Sequence, residues 1–112
     1  MPITTLVLIP AKQAEIAQTT QYTAPALTKV VIDKFTGMND AAVPVTLSIN
    51  LVASGGAAGA GNLIVKTRTL AAGEAYTFPE VVGHAMEAGG FISTIASAAT
   101  SITIAASGRS IT

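Results

Sequence analysis

The residues of this chain that could do chemistry are few and scattered. His84 is the sole histidine, and a general base or metal ligand needs a partner that orients it or shares the ion. Glu80 and Glu87 flank it, but one imidazole and two carboxylates at that spacing fit a surface or structural histidine better than a metal site. The remaining carboxylates are Glu15, Asp33, Asp40 and Glu74, and none of the acidic residues lies within two positions of another. That pattern lacks the Asp-rich run of a calcium loop and gives no sequence sign of a glycosidase pair. Without cysteine there is no thiolate nucleophile, disulfide framework or thiolate metal site. Serines are plentiful, but no Gly-x-Ser-x-Gly elbow is present and any triad would have to recruit His84. The expectation is a non-enzymatic protein with no catalytic residue, no cofactor and no metal.

Two further stretches invite comparison with ligand sites. Gly55-Gly56-Ala57-Ala58-Gly59-Ala60-Gly61 has the outer glycine spacing of a phosphate-binding loop between Gly56 and Gly61. Asn62 and Leu63 stand where that loop requires Lys and Ser or Thr, and the flanks read as strands rather than a strand and a helix. A loop between strands, available for surface contact, is the better reading. The aromatics Tyr22, Phe35, Tyr76, Phe78 and Phe91 are too dispersed for a carbohydrate platform or a single-stranded nucleic-acid surface. They fit core positions or interface anchors.

The composition agrees. Of 112 residues, half are apolar and 11% charged, with a mean hydropathy of +0.58, so the chain is expected to fold as one core. Six basic and six acidic residues occur singly, which argues against the basic footprint of a nucleic-acid binder. A sparsely charged, neutral surface gives little repulsion between copies and points to a subunit of an assembly, a dimer or trimer. The uncharged run 88–108 is long enough to cross a bilayer. Its seven Ser and Thr residues and the Gly89-Gly90 pair fit two strands and a turn instead, so no membrane partner is expected. The N-terminal apolar run has no basic residue before it and no small-residue cleavage site after it, which favours cytoplasmic synthesis.

The elements that would carry these residues are strands. From Val43 to Val52, Val43, Val45, Leu47, Ile49 and Leu51 alternate with polar positions. Lys29–Met38 reads as its hairpin mate across an Asn39-Asp40-Ala41-Ala42 turn. Asn62–Leu70, a strand ending at Phe78 before Pro79, a short strand or crossover over 81–87, Phe91–Ser97 and Ser101–Ser107 follow. Thr4–Ile9 and Glu15–Tyr22 are weaker strands separated by Pro10-Ala11-Lys12. About eight short strands predict an all-β fold, an antiparallel β-sandwich of jelly-roll type. Residues 1–20 form an N-terminal arm or edge strands that cap the sandwich or join a neighbour's edge, and 21–112 form the sandwich domain.

The phrases Gln21-Tyr22-Thr23-Ala24-Pro25-Ala26, Lys29-Val30-Val31-Ile32-Asp33-Lys34-Phe35, Asn62-Leu63-Ile64-Val65-Lys66, Leu70-Ala71-Ala72-Gly73-Glu74-Ala75-Tyr76 and Gly83-His84-Ala85-Met86-Glu87-Ala88-Gly89-Gly90 resemble the small virion-associated β-sandwich proteins of tailed bacteriophages and prophages. Where that group usually has Asp after Gly89, this chain has Gly90. The resemblance implies a capsid cement or head-decoration protein made in the bacterial cytoplasm and bound to the major capsid protein. A neck, collar or tail component is the alternative, and a carbohydrate-binding adhesion module is a rival of another class. Contacts are expected from Leu6, Leu8 and Tyr22, from Asp40 and Ala41, and from Gly55, Gly56 and Gly59.

Overall fold

The computed structural model describes residues 3–112; Met1 and Pro2, the start of the expected arm, lie outside the described residues. The described residues form nine strands: β1 (Ile3–Gln13), β2 (Thr19–Thr23), β3 (Lys29–Asn39), β4 (Val45–Val52), β5 (Leu63–Leu70), β6 (Ala75–Thr77), β7 (Ala85–Met86), β8 (Phe91–Ala96) and β9 (Ile102–Ile111). Among the described residues a single 3-10 turn, Ala60–Asn62, precedes β5. One sheet has the order β1-β9-β3-β6, with β7 also on β3, and the other has the order β2-β8-β4-β5. Every pairing is antiparallel.

Strands β6 and β7 lie end to end along β3, with Thr77 opposite Thr36 and Met86 opposite Val30. Counted as one interrupted strand, they make an eight-stranded sandwich. The chain then crosses between the sheets at every connection except β4–β5, which is the jelly-roll arrangement. Alternating strand directions place the connections 14–18, 40–44, 71–74 and 97–101 at one end. Those at 24–28, 53–62 and 87–90 lie at the other, beside the starting residues of β1 and the end of β9.

The hairpin expected between Lys29–Met38 and Val43–Val52 does not form. β3 pairs with β9, β6 and β7, whereas β4 pairs with β5 and β8 in the opposite sheet. Both strands present an apolar face, Val30, Ile32 and Phe35 on β3 and Val45, Leu47 and Ile49 on β4, and all six are buried in one core. Crossing at Asn39 lets those faces meet as opposed layers instead of lying side by side on one surface. Several boundaries also move: β2 starts at Thr19 rather than Glu15, and β9 runs on from Ser107 to Ile111. β1 continues through Pro10 to Gln13, because an edge strand need not donate from every N–H, and only Ala85–Met86 of the 81–87 segment is a strand.

β-Bulges set the phase of the core. In β3, Ile32 pairs with Gly108 and Lys34 with Ser107, so Asp33 is an extra residue. The bulge allows Val30 and Ile32, then Phe35, to point inward despite the odd spacing. β1 has a matching insertion at Leu8, between the pairs Val7–Ser107 and Ile9–Ala106. Between them β9 carries Gly108, where a Cβ would run into the Val31 carbonyl oxygen. The core centres on Phe35, Phe78, Leu47, Ile49, Ile92, Ile102 and Ile104. The Phe35 and Phe78 rings meet edge to face at 5.5 Å, a favourable quadrupolar arrangement.

Candidate functional site

The groups with chemical potential do not converge. His84 lies exposed ahead of β7, its main chain engaged with Ile32 and Val81. Glu80 approaches the Tyr76 hydroxyl at 3.4 Å, while Glu87 faces Lys29 at 3.4 Å. Among the described residues no three His, Asp or Glu side chains gather in a way that could hold a metal ion, and no helix is long and apolar enough to cross a membrane.

Much of the sparse charge is neutralised locally. Arg109 clasps Asp33 with Nε at 2.9 Å and 3.1 Å from its two oxygens; the carboxylate raises the guanidinium pKa. The Asp33 bulge is what turns that carboxylate towards Arg109. Lys12 pairs with Glu15 at 2.9 Å, and Arg68 stacks 3.9 Å over the Tyr76 ring. These exposed pairs contribute little stability, and the charges outside the ion pairs, Lys34, Lys66, Arg68, Asp40, Glu74 and Glu80, balance in sign and form no single-sign patch in the sequence.

The glycine-rich loop is the β4–β5 connection, and it is pinned. Asn50, buried on the outward face of β4, donates Nδ2 to Asn62 Oδ1 at 2.7 Å and to the Gly59 carbonyl at 3.0 Å. Asn62 in turn accepts from Gly59 N at 3.0 Å and donates to the Ala57 carbonyl at 2.9 Å. Gln18 joins from the β1–β2 connection, donating to Ser93 Oγ at 2.7 Å. Together with Ser48, Leu63, Lys66 and Thr67, the network borders a concavity of about 280 Å³. Its buried polar atoms are all hydrogen-bonded, so it acts as a structural strap for the loop.

The residues expected to make contacts are spread over the molecule. Leu8 is 3% exposed and packs in the core; Leu6 and Tyr22 are partly buried against it, and burial raises the Tyr22 phenol pKa. Asp40 is exposed and Ala41 half-buried at one end, while Gly55, Gly56 and Gly59 are exposed at the other.

Sequence reading did not single out Leu27. This side chain is 93% exposed on a left-handed backbone, φ 57°, a conformation costly for a residue with a Cβ. It stands at the tip of the β2–β3 connection beside a concavity of about 460 Å³ lined with Lys29, Glu87, Ala88 and Ile111. The available signal was Pro25-Ala26-Leu27, a large apolar residue in a proline-marked turn. Ile16 and Val43, at the opposite end, and Ile3 and Val7, on β1, are the other prominent exposed apolar chains.

No family model matches the chain, and no curated protein matches it. Among solved structures, a chain in the structure of infectious bursal disease virus, Gx strain, superposes on 97% of this chain with a TM-score of 0.56 at 13% sequence identity. The present chain spans 32% of that chain's length. The likeness is one of fold, the two-sheet sandwich described above.

Proposed function

We propose that this protein is a structural component of a virion, and specifically a cement or decoration protein that bridges major capsid protein subunits of a tailed-phage head. The observation that carries the reading is Leu27, a large apolar side chain held in water at a strained loop tip, where burial against a partner would recover its hydrophobic free energy. The shared sandwich fold with a chain of a virus structure and the resemblance of the Gln21–Gly90 phrases to phage virion proteins support it. In this mechanism each copy lays its 24–28, 53–62 and 87–90 connections on the shell. Because it binds the assembled shell and not free subunits, it stabilises assembly by mass action, and contact with two subunits raises the effective concentration.

Heads lacking the protein should break open at lower temperature or chelator concentration than complete heads, and adding purified protein should restore them. Unchanged resistance would overturn the cement role. A copy number in the hundreds per particle fits the shell; a small ring number would move the protein to the neck or tail.

A further inference from the structure

Each sheet has two outer strands, and three of the four edges are poor templates for another strand. β2 has five residues and a register shift between Thr20 and Tyr22. β5 carries Lys66 and Arg68 and breaks register around Thr67, which adopts φ 44°. β6 and β7 have three and two residues, separated by a loop. Short length, charge and bulges are the usual ways a sheet edge is kept from pairing.

The remaining edge, β1, is divided. Its second half has two register shifts, Pro10 without an N–H, and Lys12. Its first half has none of these features. Ile3 to Val7 pairs with β9 in unbroken register, from Ile3–Ile111 to Val7–Ser107. It contains no charge, proline or glycine, and Ile3 and Val7 are 62% and 63% exposed. Among the described residues no strand pairs with its outer side.

We propose that Ile3–Val7 is the docking site for the same segment of a second copy, paired antiparallel about a twofold axis through Thr5. The segment is chemically self-complementary about that residue. In this register Ile3 of one copy stands opposite Val7 of the other, Thr5 opposite Thr5, and Thr4 opposite Leu6. The outward face then presents β-branched pairs throughout, which suit cross-strand contact, and no charges oppose one another. Centring the pair on the second half would place Lys12 and the donor-less Pro10 at the junction. A twofold arrangement also closes on itself, whereas head-to-tail edge pairing would leave a free edge. The result is one continuous sheet, β6-β3-β9-β1 followed by its symmetry mate.

So short a strand pair buries less than the ~1,200 Å² usual for a stable complex, so the pair forms at high concentration or when copies share a surface. The proposal does not rest on the virion reading: pairing in solution is independent of what the loops bind.

The test uses the absence of natural cysteine. Directly opposed residues lie about 4.5–5.5 Å apart between Cα atoms, within disulfide reach. Residues offset by four positions are about 14 Å apart. Under mild oxidation at high concentration, Thr5→Cys should form a covalent dimer, and a mixture of Ile3→Cys with Val7→Cys should form the mixed disulfide. Ile3→Cys alone and Val7→Cys alone should give at least about tenfold less. All three variants are checked for folding by circular dichroism. Equal yields from every sample, or no dimer from folded Thr5→Cys, would overturn the proposal.

Discussion

Asn39, at the end of β3 in one sheet, donates its Nδ2 to the carbonyl oxygen of Leu70, at the end of β5 in the other, at 2.9 Å. The same amide donates to the Val43 carbonyl at 2.9 Å, and its oxygen accepts from Ala41 N at 2.9 Å. The Asn39 main chain pairs with Gly73 and Glu74. One fully buried side chain thus fastens two sheets and two connections, where each bond replaces water that cannot enter.

Replacing Asn39 should therefore be costly although it removes no apolar surface. Asn39→Ala should destabilise by about 1–3 kcal/mol, read from the urea midpoint. Asn39→Asp should cost more at neutral pH, because a carboxylate would face two carbonyl oxygens in a dry site. Burial raises the folded-state pKa of such a carboxyl, so the deficit should shrink as pH falls through that raised value and the group regains a proton to donate. A deficit independent of pH would show that the buried carboxylate charge is not its cause, and an unchanged midpoint for Asn39→Ala would show that the amide's donors are dispensable.

That junction also marks how much was legible from the residues alone. The Asn-Asp turn chemistry was correctly placed, since Asn39 closes a local turn onto Ala41. Its direction was not legible, because a reversal within a sheet and a crossing between sheets can start from the same turn. Period-two alternation identified β4, and the Ser/Thr-rich run around the Gly89-Gly90 turn was read as strands at β8 and β9, but in β3 the inserted Asp33 breaks the period. Partner choice was likewise hidden, because β3 pairs along its whole length with β9 from the far end of the chain. For the candidate surface, Leu8 shows the difficulty: strict alternation places Leu8 and Ile9 on opposite faces, but the bulge at Leu8 buries both in the core.

Glycine substitutions should separate packing from surface. At Gly108 a Cβ would collide with the Val31 carbonyl oxygen and meet Leu8 Cδ1 at 3.1 Å. Backbone has little room to yield, so Gly108→Ala should destabilise by about 1–3 kcal/mol. At Gly59 nothing lies within 4 Å and φ is −168°, extended backbone open to any residue. Gly59→Ala should stay within about 0.5 kcal/mol. Thermal denaturation of the two variants checks the contrast, and similar losses would contradict the close packing of β9 on β3.

Acid should weaken one particular join. Lys12 at 2.9 Å and Gln21 at 2.9 Å both hold the Glu15 carboxylate, lowering its pKa, with the Lys12 hydrogen bond the larger cause. A carboxyl depressed in the folded state contributes stability above its ordinary pKa of about 4.3 and loses it as pH falls through the lower folded value. Glu15 is well exposed, so the effect is modest. Glu15→Gln should reduce the difference in urea midpoint between pH 7 and pH 3; an unchanged difference would mean that other carboxyls carry the acid sensitivity.

Leu27 offers the sharpest division between folding and binding. Its side chain is almost wholly in water, so removing it costs the isolated protein little, and Asn tolerates the left-handed backbone better than Leu. Leu27→Asn should leave the midpoint unchanged or raise stability by up to about 1 kcal/mol. On the proposed function the same change should weaken attachment to heads, measured by co-sedimentation at increasing protein concentration. If the free protein lost stability, Leu27 would have to pack on the domain itself. Attachment at the natural strength would remove the 24–28 connection from the shell-facing surface. A more stable protein that binds less well is the outcome expected of an apolar side chain held at a strained tip for a partner.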